Sequence, residues 1–142
     1  MLEAAAREVF ETMVSGSIVP AADPASPEGD ITAMVGVAGS LCAVLSVRCH
    51  FATANLLASR MLGLGIRESE SATFDALGEV ANVLAGSVKA KVPDLADTSF
   101  LSTPTVVMGH DFKIYSLGRS ATTEFAFDFE GARVWLTLDV HQ

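Results

Sequence analysis

The stretch Ile31–Val47 carries no charged residue, and it forces a choice between two kinds of protein. At 17 residues it falls just short of the ~20 that a helix needs to cross a bilayer. Gly39-Ser40 stands at its centre, and such a pair is typical of a two-residue turn between antiparallel strands. The stretch is therefore read as two buried strands, about Ile31–Ala38 and Leu41–His50, and no membrane segment is expected. A chain of 142 residues with 50% hydrophobic content suits a single domain, residues 1–142. At about 150 residues a domain buries roughly two-thirds of its unfolded surface, so the core needs no disulfide staple.

The other elements follow from periodicity. Leu2, Ala5, Ala6, Val9, Phe10 and Met13 recur at helical spacing, with Glu3, Arg7, Glu8 and Glu11 turned to water. Ser15-Gly16-Ser17 ends that helix, and Pro20, Pro24, Pro27 and Gly29 mark a loop holding at most one short strand. A second helix is predicted over Phe51–Leu62, stopped by Gly63 and Gly65. A third and longest runs from about Ser71 to Lys91, with acids near its start and Pro93 beyond its end. A polar loop, Asp94 to Pro104, precedes a short apolar run, Thr105–Met108. Strands are expected at Phe112–Leu117, Thr122–Phe129 and Ala132–Val140. If Glu130-Gly131 is a two-residue turn, Phe129, Phe127 and Phe125 pair with Ala132, Val134 and Leu136 on one face. Asp128 then meets Arg133 on the other. Trp135 falls on that outward face with Arg133 and Thr137, to be covered by a helix or by a partner. The class is α+β, a mainly antiparallel sheet with helices packed on it.

Charge narrows the function. With 9 basic against 17 acidic side chains the formal net charge is −8, and no basic run interrupts it. Nucleic acid is not an expected partner, because phosphate binding needs a concentrated basic patch. A partner presenting a lysine or arginine fits the sign better. Cys42 and Cys49 form no metal-ligand spacing with His50, His110 or His141, so both are expected as thiols in a reduced core. The N-terminal MLEAAAREVFE has acids where a secretory signal needs a basic and then an apolar segment. A cytoplasmic location is expected.

The chemistry-bearing feature is the third helix. At about 100° per residue, Leu77, Val80, Ala81, Leu84 and Val88 share a broad arc, while Asp75, Glu79, Asn82, Gly86 and Lys89 form a narrow stripe opposite. The solvated face of any amphipathic helix can hold such residues. Asn and Gly, however, cost helix propensity relative to Ala, Glu or Lys, which suggests that something other than helix stability placed them. Gly86 leaves backbone bare for a close approach. A carboxylate beside an amide suits hydrolysis, one group gripping a cation and the other orienting a water.

Leu77-Gly78-Glu79, Asn82, Gly86 and Lys89 together resemble the signature helix of the CheC/CheX/FliY chemotaxis phosphatases. The family pattern is an acid or Ser, three residues, Glu, two residues, Asn, then a Pro about twenty residues on. Asp75, Glu79, Asn82 and Pro104 match in order, with Pro104 one residue early. Gly29-Asp30 before the strand hairpin and Thr103-Pro104-Thr105-Val106-Val107 are similar to CheX-type chains, which carry one such helix rather than two. The resemblance implies a phosphatase for the aspartyl-phosphate of a CheY-like response regulator. On that basis Glu79 pairs with a lysine of the regulator's active site and Asn82 holds the attacking water. Asp75, Gly86, Lys89 and Pro104 border the partner, Asp75 and Pro104 supporting the helix and its loop. No metal is expected on this chain, since the Mg²⁺ is the regulator's own. The alternatives are a CheX-like module that docks a regulator or flagellar switch partner without hydrolysis, and a structural subunit whose stripe is only solvated. A homodimer through sheet edges is a further implication of the resemblance.

Overall fold

A computed structural model of the chain describes residues 1–23, 26–39, 41–96, 100–109 and 120–141. The expected strand at Phe112–Leu117 and His110 lie outside these. The elements are helix α1 (Leu2–Val9), strands β1 (Val19–Pro20), β2 (Ile31–Ala38) and β3 (Cys42–Cys49), helices α2 (Phe51–Leu62), α3 (Ile66–Ser69), α4 (Thr73–Lys91) and α5 (Pro93–Ala96), and strands β4 (Phe100–Leu101), β5 (Thr105–Met108), β6 (Ser120–Phe129) and β7 (Ala132–His141). The seven described strands form one sheet in the order β1-β6-β7-β3-β2-β4, with β5 also on β2. Every pairing is antiparallel. The α+β expectation holds.

The tail hairpin has the expected register: Phe127 opposes Val134, Phe125 opposes Leu136 and Asp128 opposes Arg133. Its turn residues Glu130 and Gly131 both have positive φ, 49° and 81°, as the type I′ turn that matches strand twist demands. The first hairpin departs from expectation by one position. Val37 pairs with Ala43, where a Gly39-Ser40 two-residue turn would pair it with Cys42. The connection is one residue longer than the sequence suggested, and the shift puts Ala43, Leu45, Val47 and Cys49 on the core face. Cys49 is buried but Cys42 is exposed, correcting the expectation of two core thiols. Burial, with the nearby Asp30 charge adding, pushes the Cys49 thiol up to about 12.

One face of the sheet carries the helices and the core. Phe10, in a π turn (Phe10–Val14) that continues α1, meets Phe127 edge to face at 5.0 Å and Phe129 at 5.5 Å. Gly16 follows because a Cβ there would sit 2.2 Å from the Phe129 ring. Trp135 lies on the opposite face, yet only 6% of it is accessible, so within this chain it is a covered residue rather than an open partner surface. The polar loop expected before Pro104 contains α5 and β4. Pro93 closes α4 and opens α5, because a proline lacks the N–H that a helix interior needs but a first turn does not.

Candidate functional site

Helix α4 lies against α1, α2, β2 and β3, and its buried side is the predicted one: Leu77, Val80, Ala81, Leu84 and Val88 are all in the core. The start is two residues later than expected. Ile66–Ser69 forms its own short helix and Glu70–Ala72 a 3₁₀ turn before α4 begins at Thr73. The far end is anchored to α1, where Lys91 Nζ donates to Glu8 Oε2 at 2.6 Å and to Ser87 Oγ at 3.3 Å. That lysine holds the Glu8 carboxyl below its ordinary range.

The opposite side of α4 presents the stripe. Asp75 and Glu79 are exposed, and Asn82, Gly86 and Lys89 are half-buried. Residues three apart on a helix stand about 5–6 Å apart at Cβ, so Glu79 and Asn82 project side by side. Among the described residues neither side chain has a hydrogen bond or ion pair.

The chain running antiparallel beside α4 fixes one border of the stripe. Pro104 and Val106 come up to Gly78, where a Cβ would meet Pro104 Cβ at 3.5 Å and Val106 Cγ2 at 3.7 Å. Pro104, half-buried, thus sits over the turn that carries Glu79. Gly86 is less bare than its sequence implies, because Leu101 Cδ1 lies 4.0 Å from where its Cβ would be. Further along, β5 pairs with β2, which places Met108 opposite Ile31, and Gly109 N–H donates to the Asp30 carbonyl at 2.9 Å.

Gly29-Asp30 has a structural duty at this end. Asp30 Oδ1 accepts from the Phe51 N–H at 2.7 Å, placing a carboxylate at the N-terminus of α2 where unpaired N–H groups favour it. Gly29 has φ 132° and its Cβ would lie 2.2 Å from the Cys49 carbonyl oxygen. No other residue fits. Arg48 closes the corner by donating through Nε and Nη2 to the Gly29 carbonyl at 3.2 and 3.1 Å.

The arrangement offers a carboxylate and an amide, on a helix anchored to α1 at its far end, to whatever approaches from solvent. Among the described residues no group of three His, Cys, Asp or Glu side chains is placed to hold a metal. None of the described helices is long and apolar enough to cross a membrane.

The family model for chemotaxis phosphatase CheX matches residues 31–130, spanning the first hairpin, α4 and the Pro104 loop. The chain belongs to the CheX family. The CheY-P phosphatase CheX of Thermotoga maritima is 29% identical over 89 residues, 62% of this chain and 57% of that protein. The match thus spans little more than half the length of that curated relative. The chemotaxis protein CheX of Desulfovibrio desulfuricans has the same fold, with a TM-score of 0.76 at 25% identity over 96% of this chain and 94% of that one. A CheX–CheY–BeF₃–Mg²⁺ complex from Borrelia burgdorferi contains a similar chain, with a TM-score of 0.77 at 19% identity over 99% of this chain and 96% of that one.

Two neighbours of the stripe escaped the sequence reading, Phe51 and Phe74. They form an edge-to-face pair with centroids 6.3 Å apart. Phe74 borders the buried arc of α4, and its spacing alone assigns it to the core. An aromatic immediately before Asp75 was the available signal.

Proposed function

We propose that this CheX-family protein hydrolyses the aspartyl-phosphate of a CheY-like response regulator. The observation that carries the reading is the pair Glu79 and Asn82, adjacent on a braced helix and unpartnered among the described residues. Neither side chain is tied up by a described neighbour, so both are available to a docked partner, and Asn is a poor choice for a helix interior on propensity grounds alone. The Borrelia burgdorferi complex shows a chain of this fold with CheY, which supports a receiver protein as the partner.

In the proposed complex Glu79 pairs with a lysine of the regulator's active site. That charge-assisted contact fixes the register of α4 over the phosphorylated carboxylate. The Asn82 amide then accepts from and donates to a water, holding it in line with the phosphorus. The water oxygen forms the new bond to phosphorus as the bond to the aspartyl oxygen breaks, releasing phosphate and a carboxylate. An acyl phosphate is already reactive, so positioning supplies most of the gain, much as a glutamine positions water in GTPases. Mg²⁺ is assigned to the regulator, and chelation is expected to stop turnover through that protein. Asp75 and Pro104 are assigned support of the helix start and its neighbouring loop.

The test is single-turnover phosphate release across regulator concentration, with binding measured separately on a beryllofluoride-loaded regulator. Asn82→Ala is expected to leave binding nearly intact and slow hydrolysis about 10²–10³-fold, the scale for one preorganised polar group. Glu79→Ala is expected to weaken binding as well as rate, because the regulator's lysine then faces a gap. Full activity in Asn82→Ala, or a loss of binding alone in both variants, would replace this mechanism with a docking module.

A further inference from the structure

Beside the stripe, Phe51, Arg67, Glu70, Ser71 and Phe74 line an open cavity of about 480 Å³. Phe74 is 43% exposed although its ring meets that of Phe51. Leaving an aromatic ring half in water forgoes hydrophobic stabilisation at about 25 cal/mol per Å², so this notch is costly to the isolated chain. Aromatic side chains with an arginine at the rim are also the composition in which interface binding energy concentrates.

Position identifies the occupant. Phe74 precedes Glu79 by five residues and Asn82 by eight, which is about 7.5 Å and 12 Å along the helix axis at ~1.5 Å per residue. A protein interface of ordinary size covers about 800 Å² on each side, equivalent to a disc of roughly 16 Å radius. Phe74 also stands about 80° round the axis from Asn82 at ~100° per residue, so a protein that brings a phosphorylated side chain to Asn82 reaches Phe74 at the edge of its footprint. Charge argues against a lipid surface. Glu70 lines the notch beside Arg67, and Glu68, Asp75 and Glu79 are exposed at nearby positions of the chain. An anionic lipid surface would be repelled by these acids.

We infer that the Phe51–Phe74 notch receives an apolar side chain of the same phosphorylated regulator and anchors its docking alongside the Glu79 contact, leaving Asn82 to the chemistry. The inference rests on the phosphatase reading of the stripe. It assigns most of the affinity to the first turn of α4 and turnover to Asn82, about two turns on.

The experiment pairs titration with a CheY-like receiver protein, loaded with beryllofluoride and Mg²⁺, with steady-state phosphate release. Phe74→Ala is expected to raise both Kd and KM about 10- to 30-fold, as for an interface hot spot, with kcat at saturation nearly unchanged. Phe74→Leu should restore most of the affinity. Ser71→Arg, at an exposed wall position, should block the opening without touching the core and reproduce the Phe74→Ala defect. If Phe74→Ala and Ser71→Arg bind the receiver like the unmodified chain while that chain remains active, the notch is not the anchor and the phosphatase reading stands. If instead the variants change self-association in sedimentation and leave receiver affinity alone, a second copy is the occupant and the inference fails. An unmodified chain that neither binds nor hydrolyses overturns both readings.

Discussion

The β6–β7 hairpin and the outward stripe of α4 treat their side chains in opposite ways. On the hairpin, Phe127, Phe129, Val134 and Leu136 are buried together, and Phe125 stacks on Phe127 at 5.5 Å. On its other face Arg133 donates to Asp128 at 2.6 and 3.2 Å, and Arg60 of α2 donates to Glu130 at the turn at 2.7 and 2.8 Å. On the stripe, Glu79 and Asn82 have no hydrogen bond or ion pair among the described residues. A region whose partners are all internal contributes to stability. Side chains without them, here Glu79 and Asn82, are available to contribute to binding and rate. Substitutions in the two regions should therefore move different measurements.

The largest effect is expected from Phe127→Ala. The ring is fully buried and makes edge contact with Phe10, so its truncation should cost about 3–5 kcal/mol of unfolding free energy. Denaturant unfolding measures this. Below the lowered midpoint, the surviving folded fraction should hydrolyse at an undiminished rate per molecule. A loss under about 1 kcal/mol would show that the hairpin core repacks and that the contrast with the stripe is overdrawn.

Asn82→Ala should give the mirror image. Against the 10²–10³-fold loss of hydrolysis, thermal stability should stay level or rise slightly, since Ala is favoured over Asn within a helix by several tenths of a kcal/mol. A fall in stability of more than about 1 kcal/mol would show that Asn82 serves the fold, and the division between the two regions would fail at its central residue.

How much of this could be read in advance follows the same division. The hairpin register was legible because two local signals agree: Glu130-Gly131 takes the conformation its residue types allow, and the alternation of Phe125, Phe127 and Phe129 permits a single face. The first hairpin was less legible. Gly39-Ser40 suggests a turn, but both flanking strands are almost wholly apolar, so a one-residue slip changes the pattern little. On α4, spacing alone separated core from stripe, and the resemblance to a family suggested what the stripe does. Pro104 over Gly78 and the Phe51–Phe74 notch join residues far apart in sequence, and no local pattern encodes such meetings. Trp135 shows the limit from the other side, an outward position by alternation that the completed chain covers.

A smaller, oppositely signed effect is expected where fold and site meet. Gly78→Ala places a Cβ at ordinary contact distance from Pro104 and Val106. The gain in helix propensity, about 0.5–1 kcal/mol, should therefore appear nearly undiminished as added stability. Gly78→Leu has no room to match and should push the Pro104 loop from the helix, lowering hydrolysis and stability together. If Gly78→Ala destabilises, the Pro104 loop sits more tightly on α4 than these distances allow.

The smallest effect concerns acid. Arg133, through its hydrogen bonds, holds the Asp128 carboxyl below its ordinary value of 3.8. Arg60 does the same for Glu130 and Lys91 for Glu8, each below 4.5. A carboxyl lowered by folding binds fewer protons in the native state than in the unfolded one. Its contribution to stability is thus complete above the ordinary value and is lost as pH falls through the lowered one. Stability should accordingly be flat through neutral pH and decline below about pH 4.5, most of it beneath the unfolded carboxyl values. Asp128→Asn should make that decline shallower, by a modest amount because the pair is partly solvated and screened by salt. Asn82→Ala, which removes no titrating group, should leave the shape of the acid limb unchanged. Thermal midpoints collected from pH 3 to 7 for the three proteins decide it. An acid limb as steep in Asp128→Asn as in the unmodified chain would mean that the Asp128–Arg133 pair contributes nothing measurable to stability, and the contrast with the stripe would then rest on the hairpin's apolar face alone.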